Sequence, residues 1–237
     1  MTIVRKLTGE YLPQFVYGGI DGTVTTFAVV SAAAGAGYSA GVILVLGFAN
    51  LVADGISMGV SAYLSDRSEV DQFHKHRRSV IQLLENNIGK ARVLLRKQLQ
   101  KYGLKAALLE DATDTMLKDK EKAAEFILKE EHEMQESSQN PRMIAFMTFL
   151  AFVLVGIVPL AIYLFDFILE FDFDQNSLFV LASILSGLAF AAIGFLKSRV
   201  TQSNRVVAVA ETLLLGGVAA ASSYVIGYWL ARVFHVS

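Results

Sequence analysis

The chain of 237 residues contains no cysteine. Disulfides and thiolate metal sites are therefore excluded, and any bound cation must draw on Asp, Glu, His, Met or backbone oxygen. Proline is nearly absent too, with 3 residues, so few positions force a helix to end. Charge is missing over long distances. Only 6 Lys+Arg and 8 Asp+Glu lie outside residues 65–142, whereas that block holds 15 and 14. With the net charge at −1, the total says nothing about partners. No phosphate-binding loop, dinucleotide fingerprint or Ser/His/Asp arrangement is present, so no enzyme and no permanent cofactor are expected. MTIVRKLTGEYLPQF is too polar ahead of the first apolar run to read as a signal peptide.

What fills the rest is apolar. Hydrophobic residues make up 54% of the chain, above the roughly 45–50% of soluble domains. The uncharged stretches are long enough to cross a bilayer core of about 30 Å. The expected fold is an all-α membrane protein with five transmembrane helices and a helical insert between the second and third. Residues 1–69 hold the lead-in and first two spans, 70–141 the insert, and 142–237 the last three spans.

The first span runs from Gln14 to Ala36, with Pro13 at its first turn. Gly35, Gly37 and Tyr38 make an uncharged turn. The second span covers Ala40 to about Tyr63 and continues as helix beyond the apolar part, because no Pro or Gly stops it. In the insert, helical periodicity breaks near Gly89 and ends at Gly103. Two shorter helices follow, the second capped by Asp119, with Pro141 as a stop. The third span, Arg142 to about Phe165, is kinked by Pro159. The fourth covers Leu178 to Leu196. The fifth covers Val206 to about Val233, with Tyr228 and Trp229 as interfacial anchors.

Charge bias orients these spans. Arg5, Lys6, the insert, Lys197, Arg199 and Arg205 fall on one side, and the third-to-fourth loop carries only acids. The positive-inside rule then places the N-terminus and insert in the cytoplasm. The basic run over 75–105 suits anionic lipid headgroups. It is interleaved with apolar residues at helical spacing, which argues against nucleic acid. Compact loops and the lack of a targeting segment lean toward a bacterial inner membrane over a vacuolar one.

Acids inside a membrane cost about 2.5–3.5 kcal/mol on insertion scales and mark functional sites. Asp21 lies in the first span among Gly18, Gly19 and Gly22. Asn50, Asp54 and Met58 recur every four residues along one face of the second. Glu211 lies near the start of the fifth. Two carboxylates and a thioether suit a divalent transition metal better than Mg²⁺ or Ca²⁺. Carboxylates also take up protons, so the same groups could exchange a cation for H⁺. Each acid also has a blander account, snorkelling to the surface or pairing with a neighbour, and this weighs most on Glu211. In the insert, Asp71 and His74 sit one turn apart and could share a metal. Glu130, Glu131, His132, Glu133, Met134 and Glu136 form a second cluster. A solvated, salt-bridged face is the competing account of both.

DGTVTTFAVVSAAAGA and LGFANLVADGISMGVSAYLSDRSE resemble the opening of the vacuolar iron transporter family of iron and manganese transporters. Gly194–Gly227, with Lys197, Glu211, Gly216 and Tyr224, is similar to that family's last two spans. The resemblance implies a five-helix protomer that dimerises around its first spans and moves Fe²⁺ or Mn²⁺ out of the cytosol in exchange for protons. Asp21 and Met58 would match the acid and methionine lining the pathway, with Asp54 one turn away. It also implies a three-helix, Glu-rich metal-binding insert. Here the first insert helix reads FHKHRRSVIQLLENNIGKARVLLRKQ, and only KEEHEM keeps that character, with Glu130 or Glu131 as the best match. The insert is then expected to bind fewer ions, to use His74 or His76, or to serve in dimer packing. The alternative is a non-transporting membrane protein of the same fold whose basic insert is a docking or lipid-contact module.

Overall fold

The computed structural model describes residues 10–137 and 139–235. Among the described residues all regular structure is helical. Contacts divide them into two compact units, one running up to Tyr63 and again from Gln139, the other from Leu64 to residue 137.

In the first unit, α1 (Leu12–Gly35) is the helix around which the others gather. It packs against α6 (Pro141–Gly156), α7 (Val158–Leu169), α8 (Gln175–Thr201) and α9 (Arg205–Phe234). Small residues let the backbones meet, which is how helices associate where lipid removes the hydrophobic drive. A Cβ on Gly22 would fall 2.3 Å from the Phe152 carbonyl oxygen, and one on Gly156 would fall 2.8 Å from the Gly22 oxygen. The α1–α9 seam repeats this: Gly35 faces the Tyr224 carbonyl and Gly227 faces that of Ala32. Thr212 Oγ1 donates to the Phe190 carbonyl at 3.0 Å, linking α9 to α8. The start of α1 is tied to the start of α6. Gln14 donates to Gln139 Oε1 at 3.1 Å, Gln139 donates to the Glu10 carbonyl at 2.7 Å, and the Asn140 N–H donates to the Tyr11 hydroxyl.

After the turn at Gly37, whose φ of +76° only glycine adopts without strain, α2 runs from Ala40 to Asn86. Its first half packs Ile43 and Leu44 with Leu160 and Tyr163 of α7. Among the described residues four helices, α1, α2, α8 and α9, are long and apolar enough to cross a membrane. The α6–α7 pair, bent by 52° beside Pro159, is a fifth if it counts as one span. The chain is an integral, multi-pass membrane protein.

The second unit combines the end of α2 with α3 (Ile88–Lys101), α4 (Ala106–Leu117) and α5 (Lys120–His132). Its core joins Phe73, Val80 and Leu84 of α2, Ala91 and Leu95 of α3, and Ala123, Ile127 and Leu128 of α5. The break after α2 falls at Asn87, two residues ahead of Gly89, because the Asn87 side chain caps α3 by accepting from the Lys90 N–H. Asp119 caps α5 in the same way through the Lys122 N–H. That hydrogen bond holds the Asp119 carboxyl below its ordinary range. Helix α5 ends at His132, well before Pro141, with Glu133 in the left-handed region at φ 53°.

Candidate functional site

Asp21 sits two turns into α1, on the turn that abuts α6. Gly22, the next residue, lies against the Phe152 carbonyl, and Thr25 Oγ1 donates to the Asp21 carbonyl at 2.8 Å. The carboxylate itself is half-buried. Asp54 of α2 stands close enough for the two acids to feel each other's charge. Neither carboxylate has an ion-pair or hydrogen-bond partner among the described residues. At these positions α2 presents three faces. Leu51, Gly55 and Gly59 are buried, Val52, Ile56 and Val60 are exposed, and Asn50, Asp54 and Met58 form a half-buried line between them. The four-residue spacing therefore places an amide, a carboxylate and a thioether in one row. The Asn50 Nδ2 is buried with no partner, so the row holds an unspent donor as well.

Glu211 belongs to a different arrangement. Its Oε2 accepts from Lys197 Nζ at 2.7 Å, which joins the facing ends of α8 and α9. The sequence shows Lys197 as a charge at the end of the fourth span and as a residue of the family resemblance, with no sign that it pairs with Glu211. The missed signal is the short connection: Lys197 lies about one turn before the end of α8 and Glu211 less than two turns into α9, so the antiparallel pair brings them within reach.

The insert residues are spread out. Asp71 pairs with Arg67 at 3.2 Å. Glu131 accepts from the Gln98 amide and lies 3.5 Å from Lys97 Nζ. Glu130 accepts from the Tyr102 hydroxyl, a bond that pushes the phenol upward. His74 packs edge-on against Phe73 and lines a cavity of about 520 Å³ with Arg77, Lys129 and Met134. The rings of His76 and His132 lie 5.0 Å apart. Among the described residues no three of His, Asp and Glu converge as a metal site. Other acids of this unit are matched by the basic residues of α3: Arg92 holds Glu110 and Asp114, and Arg96 holds Glu110.

The arrangement that retains chemical capacity is thus the α1–α2 pair. Two oxygen donors with no cationic partner stand beside a soft sulfur, in a part of the chain where water is scarce. Such a group can take a divalent cation or protons.

A model of the VIT family matches residues 12–228. A protein of Toxoplasma gondii named vacuolar iron transporter is 27% identical, over 98% of this chain and 82% of its own length. Vacuolar iron transporter 1 of Tulipa gesneriana is 26% identical over 91% of this chain and 85% of its own. The vacuolar iron transporter of Plasmodium berghei is 24% identical over 95% and 84%.

Proposed function

The chain belongs to the VIT family, and from that premise we propose that it is a divalent metal transporter which carries Fe²⁺ or Mn²⁺ out of the cytosol in exchange for protons. The observation that carries this reading is the pair of half-buried acids, Asp21 and Asp54, without a cationic partner among the described residues. Two like charges in a poorly hydrated place need neutralising, and a divalent cation or protons can each do it. That shared need makes the exchange. The cation enters when both carboxylates are ionised, with Met58 sulfur and the Asn50 side-chain carbonyl as further donors. Proton uptake from the far side cancels the carboxylate charge and releases it. Glu211, paired with Lys197, shapes the cytosolic approach. In the insert, Glu130, Glu131, His74 and Asp71 meet cations singly.

In this reading α6 and α7 are one bent crossing of five, and the positive-inside rule puts the basic insert in the cytosol. A homodimer would bury the exposed apolar stripe of α2 formed by Val42, Val45, Leu46 and Val52. The relatives' names point to a vacuolar membrane and the short loops to a bacterial inner membrane. Both keep the insert cytosolic.

The test is flux in proteoliposomes that report metal and pH together. Wild type should move Fe²⁺ or Mn²⁺ with protons running the other way, and Asp21→Asn or Met58→Ala should stop it in folded protein. Flux retained in both variants would remove these residues from the pathway. No flux with either metal from folded wild type would favour a docking role for the insert.

A further inference from the structure

We propose that the cleft between α2 and α6 is a binding site for one anionic phospholipid, with an acyl chain in the cleft and the headgroup phosphate on Arg142. This goes beyond the transport reading and does not depend on it.

The cleft has a volume of about 430 Å³. Its floor is the close approach of the two helices, where a Cβ on Gly59 would sit 3.2 Å from the Ala145 carbonyl. Ile56 and Val60 form one wall, Phe146 and Phe149 the other. Phe146 is 55% exposed, so the wall stands open to whatever surrounds the helices. In a bilayer an open apolar slot along two helices is filled by hydrocarbon. Its lining on α2 runs from Ile56 to Tyr63, about 10 Å at the helical rise, which accommodates a segment of acyl chain.

The mouth selects the headgroup. Arg142 and Tyr63 close the cleft at one end. The other cations described in this unit are engaged. Lys197 pairs with Glu211, Arg199 and Arg205 lie over the Phe195 ring, and Arg232 lies over Tyr228. Among the described Lys and Arg residues of this unit, Arg142 alone has neither an acid nor a ring. A guanidinium at the edge of an apolar slot seeks an anion, and its planar fork matches a phosphate. Basic pockets between membrane helices recognise anionic headgroups in this way. One cationic group near such a surface contributes about 1 kcal/mol, equivalent to roughly fivefold selectivity.

The test uses full-length protein carrying Phe146→Trp with Trp229→Phe, so that the only indole lies in the cleft wall. It is reconstituted in phosphatidylcholine vesicles with increasing fractions of brominated phosphatidylglycerol or brominated phosphatidylcholine, and quenching is titrated. The expected result is half-quenching at about fivefold less brominated phosphatidylglycerol than brominated phosphatidylcholine. The preference should fall to near unity with Arg142→Gln and persist with Arg142→Lys. Val60→Trp reads the same cleft from the opposite wall if the first probe fails to fold. Equal quenching by both lipids, or selectivity unchanged by Arg142→Gln, overturns the proposal. So does absence of quenching by either lipid, which would mean that a second copy of the chain covers this face.

Discussion

Replacing Gly22 by alanine adds one methyl group to the seam that positions Asp21. Its Cβ would lie 2.3 Å from the Phe152 carbonyl oxygen and 2.9 Å from that residue's Cα. Ordinary contact distances then require the helices to part by roughly 1 Å. Backbone blocks the added atom, so no rotamer change can relieve it. The displacement also spreads, because Gly18 rests on the Thr148 carbonyl and Gly156 on the Gly22 oxygen along the same seam. Overpacking of this kind costs about 1–3 kcal/mol. Gly187 and Gly217 supply the comparison, since a Cβ on either meets nothing within 4 Å. Alanine there should be neutral or stabilising by about 0.5–1 kcal/mol, the helical penalty of glycine. At about 2–4 °C per kcal/mol for a chain this long, Gly22→Ala should melt well below wild type and the two controls at or above it. Fluorescence-detected size exclusion after heating in one detergent measures all three. Metal flux should fall with Gly22→Ala even at temperatures where it stays folded, because Asp21 moves with its neighbour. A melting temperature equal to that of the controls would refute the idea that this glycine sets the α1–α6 distance.

Three further outcomes follow from the structure. Leu128, fully buried in the core of the second unit, should cost about 2–5 kcal/mol when cut to alanine, seen as faster proteolysis within residues 64–137 while α1, α8 and α9 stay protected. Asp119 has its folded pKa depressed, chiefly by the Lys122 N–H, so its contribution is complete above the unfolded value near 4 and is lost as pH falls through the folded one. The insert of wild type should therefore lose more thermal stability between pH 6 and pH 3 than that of Asp119→Asn. The Lys197–Glu211 pair is partly exposed, with side-chain accessibilities of 26% and 58%, and should be worth about 0.2–1 kcal/mol in a double-mutant cycle; Glu211→Gln should slow flux far less than Asp21→Asn, and equal loss would return Glu211 to the centre of the pathway.

The helical organisation is legible in the sequence because each membrane helix repeats one simple demand, apolar side chains over about 20 residues. The row Asn50–Asp54–Met58 is legible because it needs only the helical period. The proximity of Asp21 and Asp54 is not, since it depends on two helices meeting. The insert shows where local pattern is insufficient. Asp71 and His74 have suitable spacing, as do the acids of KEEHEM, yet Arg67, Lys97, Gln98 and Tyr102 reach those acids first. Arg67 and Asp71 are an i,i+4 pair that spacing does record, but the partners of Glu130 and Glu131 are set by packing between helices, of which single-helix spacing carries no record. Gly89 drew attention as a helix breaker, whereas an asparagine two residues earlier made the cap, because a side-chain acceptor defines a start more firmly than glycine defines an end.

The bend between α6 and α7 re-routes the backbone hydrogen bonds, and a cap N–H reaches the Val155 carbonyl. Pro159 has no N–H to offer the Val155 carbonyl, and the Leu160 N–H turns to Ile157 instead of Gly156. The C-terminal end of α6 and the N-terminal end of α7 meet at Ile157, so their opposite partial charges largely offset each other. Gly156, the last residue of α6, touches Gly22, one residue from Asp21. What this bend holds against the turn that carries the acid is backbone, fixed by the path of the chain, and unlike a carboxylate it cannot be switched off by a proton.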